Sequence, residues 1–123
     1  MRKAILVVAL FSLLVSCRHW CYDHPHVVAN KCSSSTDVCI DPSTLAATPD
    51  PVRIRRGQWA HFAFSGGNDD LRIESDVLED IDSCGGKAWG RVPKDAVPGS
   101  THKYTIVDVT DRRTNDPTII IDP

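Results

Sequence analysis

The amino-acid sequence predicts an all-β domain, a Greek-key β-sandwich of about seven strands that is stapled by disulfides. From residue 37 onward, short runs rich in β-branched and aromatic residues are separated by Pro, Gly, Asn and Asp. This pattern is typical of short strands joined by tight turns. No segment after residue 17 combines the length and the 3.6-residue period of an amphipathic helix. We therefore expect strands to supply the core.

Each strand is predicted from its own apolar pattern. In residues 59–64, Ala60, Phe62 and Phe64 alternate with outward-facing positions, so one face of this strand packs as core. Gly57 fits the turn before it, because glycine readily adopts a positive φ. Residues 76–82 form one helical turn at most. We predict strands over residues 38–40, 52–56, 59–64, 71–74, 87–92, 102–109 and 118–121.

The first 17 residues have the pattern of an export signal. Arg2 and Lys3 precede an apolar run that is too short for a stable membrane span. The run ends in Leu14-Val15-Ser16-Cys17, which resembles the lipobox of bacterial lipoproteins. The resemblance implies that residues 1–16 are a cleaved signal peptide and that Cys17 is lipidated. We therefore divide the chain into the leader 1–16, a Cys/His-rich tether or loop 17–36, and the β-sandwich domain 37–123.

The charge of the mature chain limits its partners. Two of the 14 basic residues lie in the leader, which leaves 12 against 16 acidic residues. This negative balance argues against nucleic acid or anionic lipid as a partner. By resemblance to lipoprotein sorting in Gram-negative bacteria, the absence of Asp after Cys17 implies an outer-membrane lipoprotein that faces the periplasm.

Four further cysteines predict two disulfides, because an exported protein folds in an oxidising compartment. These candidates are Cys21, Cys32, Cys39 and Cys84. Three pairings are compatible with the sequence. We favour Cys21 with Cys32, and Cys39 with Cys84, since a strand at Cys39 could meet Cys84 across a sandwich.

Two segments resemble the cupredoxin-like pattern, in which a strand ending in Gly precedes an apolar strand and a late Pro-Gly turn leads into a Tyr-containing strand. These segments are residues 51–62 and 97–106. An immunoglobulin-like or transthyretin-like sandwich fits the strand pattern as well. The copper ligands of the cupredoxin-like family are lacking, because no His follows Cys84 until His102 and the single Met is Met1. We expect no resident cofactor.

Two groups of residues are weighed as metal sites. His19, His24 and His26 lie near Cys21, and imidazole and thiolate are ligands of zinc and copper; the alternative is a solvent-exposed loop whose cysteine is oxidised. Asn68-Asp69-Asp70 opens an acidic run that reaches residue 82, but its spacing matches no calcium-loop motif. We interpret this run as a solvated acidic face.

The sequence offers contact residues but no catalytic motif. It lacks a Gly-x-Ser-x-Gly elbow, a phosphate-binding Gly-rich loop and a His-Glu-x-x-His helix. Trp89 is interpreted as a core residue, while exposed aromatic and charged groups are candidates for binding. These candidates are Trp59, Arg53, Arg55, Asp69 and Asp70.

We therefore expect a non-catalytic binding or structural module of the cell envelope, held by a lipid and contacting a protein. Examples of that role are an inhibitor, an immunity protein or a secretion accessory protein. The alternative is a periplasmic metal-binding protein that uses the His/Cys-rich segment. Oxidised cysteines favour the first function, and free Cys21 and Cys32 favour the second.

Overall fold

The computed structural model describes residues 30–123, and these residues form an all-β domain. Their eleven strands lie in three sheets, a five-stranded sheet in the order β2-β1-β4-β7-β6 and two three-stranded sheets in the orders β10-β9-β5 and β3-β11-β8. The strands are β1 (Val38–Ile40), β2 (Ala47–Thr48), β3 (Val52–Arg55), β4 (Trp59–Phe64), β5 (Leu71–Glu74), β6 (Glu79–Cys84), β7 (Lys87–Arg91), β8 (Thr101–Lys103), β9 (Thr105–Asp108), β10 (Arg113–Asn115) and β11 (Thr118–Asp122). The predicted all-β class is confirmed. Among these residues, no helix is long and apolar enough to cross a membrane.

The core is built by alternation along the strands. Val52 and Ile54 of β3 lie opposite Ile119 and Ile121 of β11 in a parallel register, and all four side chains are buried. Residues that face each other across a strand pair point to the same side of the sheet, so this register forms one apolar surface. The core faces of β4 and β5 add further apolar side chains, namely Ala60, Phe62, Phe64, Leu71 and Ile73.

Two parallel pairs show that neighbours in the sheets are not neighbours in the chain. β1 lies parallel to β4, and β3 lies parallel to β11. Parallel strands need a crossover rather than a two-residue hairpin. The turn predicted at Gly57 is present, with a φ of 78° between β3 and β4.

The predicted strand 102–109 is wrong as a single element. β8 pairs with β11, whereas β9 pairs with β5 and β10 in another sheet. The change of sheet falls at Tyr104, whose buried ring lies 5.3 Å from the ring of Phe62 between their centroids. Apolar residues therefore continue across the junction, and the sequence pattern does not reveal the break.

The sequence also missed three strands. β2 and β10 are only two and three residues long. β6 lies in the acidic run where we expected at most a helical turn, and it forms one edge of the five-stranded sheet. Its charged side chains face solvent, which an edge strand tolerates despite their low strand propensity.

The disulfide pairing that we favoured is also wrong. Cys32 and Cys39 are bonded to each other, with 5.7 Å between their Cα atoms. Cys39 lies in β1 and Cys84 in β6, and the two strands are separated by β4 and β7. Three strand spacings amount to about 14 Å, which exceeds the reach of a disulfide. Cys84 also belongs to a disulfide.

Candidate functional site: an aromatic groove on the outer face of the five-stranded sheet

The outer face of the five-stranded sheet carries an aromatic groove of about 340 Å³ lined by Trp59, His61 and Trp89. Trp59 and His61 are alternate residues of β4, and His61 pairs with Trp89 of β7. The core side of the same strands is filled by Ala60, Phe62 and Ala88. Alternation therefore forces the two indoles and the imidazole onto the opposite side. We call this site the Trp groove.

Trp59 is the more exposed of the two indoles, with 40% of its surface accessible. Trp89 is half-buried, so our interpretation of Trp89 as a core residue is wrong. The core positions of β7 belong to Ala88 and Gly90, and a Cβ at Gly90 would come within 3.2 Å of Leu78 and Ile81. The close packing over Gly90 leaves the large side chain of Trp89 on the outside.

Arg91 stacks on Trp59. Its guanidinium carbon lies 5.6 Å from the centroid of the Trp59 ring, and the two residues face each other across β7 and β4. A guanidinium over an indole is attracted by the negative face of the ring. One side of Trp59 is therefore occupied by a fixed cation.

Two consecutive carboxylates of β6 hold Arg91. Its Nε donates to Glu79 Oε1 at 3.1 Å, and its Nη2 donates to Asp80 Oδ2 at 3.0 Å. Consecutive residues of a regular strand point to opposite faces, but β6 has a register shift between Glu79 and Asp82, and Asp80 has a φ of 52°. A β-bulge re-aims side chains in this way. The bulge thus brings both carboxylates to one guanidinium.

His61 is positioned from the other side of the groove. Its backbone N–H donates to Asp37 Oδ2 at 2.8 Å, and its Nδ1 lies 3.3 Å from the same oxygen. His61 thus stands on the outward face of β4 with a surface hydrogen bond to Asp37. Asp37 fixes both the backbone and the ring of His61 beside the two indoles.

The Cys32–Cys39 disulfide lies beside β4, two residues along the strand from His61. Cys39 faces Ala63 across β1 and β4, and Cys32 Sγ lies 3.5 Å from the Ala63 carbonyl oxygen. The backbone N–H of Lys31 donates to the Phe64 carbonyl at 3.1 Å. Residues 31 and 32, which we assigned to the tether, are thus attached to β4 next to the groove.

The other binding candidates lie elsewhere. Arg53 and Arg55 are exposed on β3, where Arg53 Nη1 forms an ion pair with Asp122 Oδ1 at 2.8 Å. Asp69 and Asp70 precede β5, on a different sheet from the groove. The structure therefore does not bring the five predicted contact residues together. Cys17, Cys21, His19, His24 and His26 lie outside the described residues.

The acidic run does not form one solvated face. Asp69 turns toward Asp108 and Asp111, and one carboxylate oxygen of each lies within 4.8 Å of the others. Asp108 is fully buried and accepts a hydrogen bond from Arg113 Nη2 at 2.7 Å and from the Asp111 N–H at 3.2 Å. Burial opposes ionisation of Asp108, but these hydrogen bonds hold its pKa below the usual range. Arg113 supplies the positive charge of this carboxylate cluster.

The neighbouring carboxylates change the pKa of Asp69. A hydrogen bond to Asp108 and partial burial raise the pKa of Asp69 to about 6. Two neighbouring carboxylates ionise together only at a cost in free energy, so Asp69 keeps its proton to a higher pH than an exposed aspartate does. The cluster links the loop before β5 to the turn after β9.

A serine and a histidine also come together at the start of β8. Ser100 Oγ lies 2.8 Å from His102 Nε2 and 2.6 Å from the Val97 carbonyl oxygen. The single hydroxyl proton goes to the Val97 carbonyl, so His102 is left to donate to the serine. This geometry caps a turn and does not activate a nucleophile.

Comparison of the chain with protein-family models, curated proteins and solved structures finds no match. The function is therefore argued from the site alone.

Proposed function

We propose that this protein is a lipid-anchored, non-catalytic binding module of the bacterial envelope, and that it contacts a protein partner through the Trp groove. The single observation that supports the proposal is the exposed Trp59 beside Trp89 and His61 on a rigid sheet. Tryptophan and arginine supply much of the binding energy of protein interfaces when they are fixed in advance. Here the carboxylates at the bulge of β6 hold Arg91, and Arg91 stacks on Trp59.

The anchor rests on the lipobox and on the number of cysteines. Cys32 and Cys39 are bonded to each other, and Cys84 is oxidised as well. The chain has five cysteines, so two disulfides within it leave one over. A lipidated Cys17 accounts for the fifth cysteine and leaves Cys21 to pair with Cys84.

The oxidised state of Cys32 and Cys84 disfavours the metal-binding alternative. A disulfide sulfur is not a thiolate, and the thiolate is the ligand that zinc or cuprous copper prefers. A metal site in the His-rich segment would then depend on imidazoles alone.

The anchor is tested by the intact mass of the protein extracted in detergent from a Gram-negative host. We expect loss of residues 1–16, the mass of acyl chains on Cys17, and a gain of four protons on reduction. A Cys17→Ser variant is expected as an unprocessed precursor or a soluble form. Unchanged membrane partition of that variant contradicts the anchor.

The binding face is tested by comparing the proteins that co-purify with the full chain and with its variants. We expect the same partner with the wild type and with Val97→Ala, a control that removes an exposed apolar side chain outside the groove. Trp59→Ala, alone and combined with Trp89→Ala, is expected to lose it. An unchanged set of proteins with both groove variants contradicts the proposed face.

A further inference from the structure

Asp82 stands directly beside Trp89. The two residues face each other across the antiparallel strands β6 and β7, so their side chains lie on the same outer face. Asp82 is exposed, and its Oδ1 accepts the Ser83 N–H at 2.8 Å. Among residues 30–123, no cation forms an ion pair with Asp82. An indole and an unneutralised carboxylate thus border the same side of the Trp groove.

One row along the same strands, the sheet already holds a cation against an indole and two carboxylates. There Trp59 faces Arg91, which faces Glu79, and the guanidinium lies between the indole and the carboxylates. The sheet therefore holds one cation between an aromatic ring and an acidic edge strand. In the row of His61, Trp89 and Asp82, the indole lies on the middle strand directly beside the carboxylate. This row combines an aromatic ring with an acidic edge strand as well, and within residues 30–123 it holds no cation paired with Asp82.

The charge around the groove favours an incoming cation. Glu79, Asp80 and Asp82 of β6 carry three carboxylates against the single guanidinium of Arg91. Lys87 adds an exposed cation in the next row of the same face, where it faces Cys84, so the three carboxylates still exceed the two cations. A negative edge beside an aromatic face attracts a positive group and orients it.

We infer that the partner places an arginine or lysine side chain against Trp89 and the Asp82 carboxylate. This inference rests on the proposed function, because it names the chemistry of the partner at the same groove. An uncharged oligosaccharide would also stack on the indoles, but it leaves the charge of Asp82 uncompensated. The carboxylate therefore favours a basic polypeptide.

The test uses the full chain in detergent at low salt, with the indole N–H groups labelled with ¹⁵N and assigned through single Trp→Phe variants. The probe is an end-blocked pentapeptide of one arginine flanked by two glycines on each side. Its control is the same peptide with citrulline, which keeps the shape of the side chain and removes its charge. Asp82→Asn is compared with Asp95→Asn, which makes the same change at an exposed residue in the turn after β7.

We expect the arginine peptide to shift the indole signal of Trp89, with an affinity about fivefold above that of the citrulline peptide. Asp82→Asn should remove this difference, and Asp95→Asn should keep it. Equal affinities for the two peptides, no shift with either peptide, or a larger shift with cellotetraose overturns the inference. These three results overturn only the inference about a basic side chain. The proposed function is contradicted by a different result, namely that the Trp59 and Trp89 variants keep their co-purifying partner. The two failures are therefore distinguishable.

Discussion

The guanidinium of Arg91 lies over the ring of Trp59, 5.6 Å from its centroid, and this stack joins the edge of the sheet to the Trp groove. The bulge of β6 provides the two carboxylates that hold Arg91 in place. A side chain that is already fixed loses less conformational entropy when a partner binds. The bulge on an acidic edge strand therefore contributes to the shape of a surface two strands away.

The first prediction concerns this stack. Arg91→Gln removes the cation and leaves Glu79 and Asp80 unpaired, so the free energy of unfolding should fall by about 1 kcal/mol. The Trp59 indole should also become more mobile, which time-resolved fluorescence anisotropy of a Trp20→Phe/Trp89→Phe background would measure. Arg72→Gln is the matched control, because Arg72 pairs with Glu74 on another sheet. Equal anisotropy in the two variants contradicts the fixed stack.

The second prediction concerns the Cys32–Cys39 disulfide. Replacing both residues by Ser opens a short loop, and chain entropy predicts a loss of about 2.5 kcal/mol in the free energy of unfolding. The urea midpoint of the oxidised proteins measures this loss. The reference is the same pair of proteins under reducing conditions, where neither holds the bond between residues 32 and 39 and the midpoints should agree. For the oxidised proteins, a midpoint equal to that of the wild type would show that the disulfide does not hold residues 30–32 on β4.

Much of the fold was predictable because alternation is a local signal. The bounds of β1, β4 and β5 agree with the sequence pattern, since each strand alternates buried and outward residues or is enclosed by turn residues. β6 was missed because its residues are acidic, and because the ion pair between Glu79 and Arg91, twelve residues away, compensates that charge only in the folded sheet. Such contacts form only in the tertiary fold, so the strand propensities of the local residues do not predict them.

The candidate site was predictable only in part. The alternation of β4 places Trp59 and His61 outside the core, and the structure agrees. Trp89 was misplaced because a tryptophan in a short strand resembles a core residue until the packing over Gly90 is known. The disulfide pairing could not be derived either, because it depends on the order of strands in the sheet.

The third prediction concerns the pH dependence of stability. The pKa of Asp69 is about 6 in the folded protein, against 3.8 when exposed. Between these values the unfolded chain loses its Asp69 proton first, so this residue's contribution to stability is full below pH 3.8 and is lost as the pH rises through 6. The Asp69→Asn variant should not lose this stability as the pH rises, because the asparagine amide donates to Asp108 at every pH.

Urea midpoints at pH 4 and pH 7.5 check this prediction. We expect Asp69→Asn to exceed the wild type at pH 7.5 and to approach it at pH 4. Asp70→Asn is the control, since it makes the same change next to the carboxylate cluster rather than in it. A constant difference between Asp69→Asn and the wild type at the two pH values would contradict the shared proton.

The fourth prediction concerns Arg113. Its guanidinium donates to Asp108 Oδ2 and to the carbonyl groups of Pro42 and Ser43, and thus joins β10 to the turn after β1. Arg113→Lys keeps the charge but loses the planar fork that serves three acceptors. We expect a clear fall in the melting temperature, and only a small change for Arg72→Lys at an exposed ion pair. Equal melting temperatures for the two variants would show that the hydrogen bonds of Arg113 stabilise the fold no more than an exposed ion pair does.

The central claim is that a membrane-held domain binds its partner through the Trp groove. The most direct measurement is photo-crosslinking in living cells, with a benzoylphenylalanine at position 61 inside the groove or at position 97 outside it. We predict a single discrete adduct from position 61, its loss in the Cys17→Ser background, and no adduct from position 97. Identical crosslinking from the two positions, or none from position 61, would contradict the account.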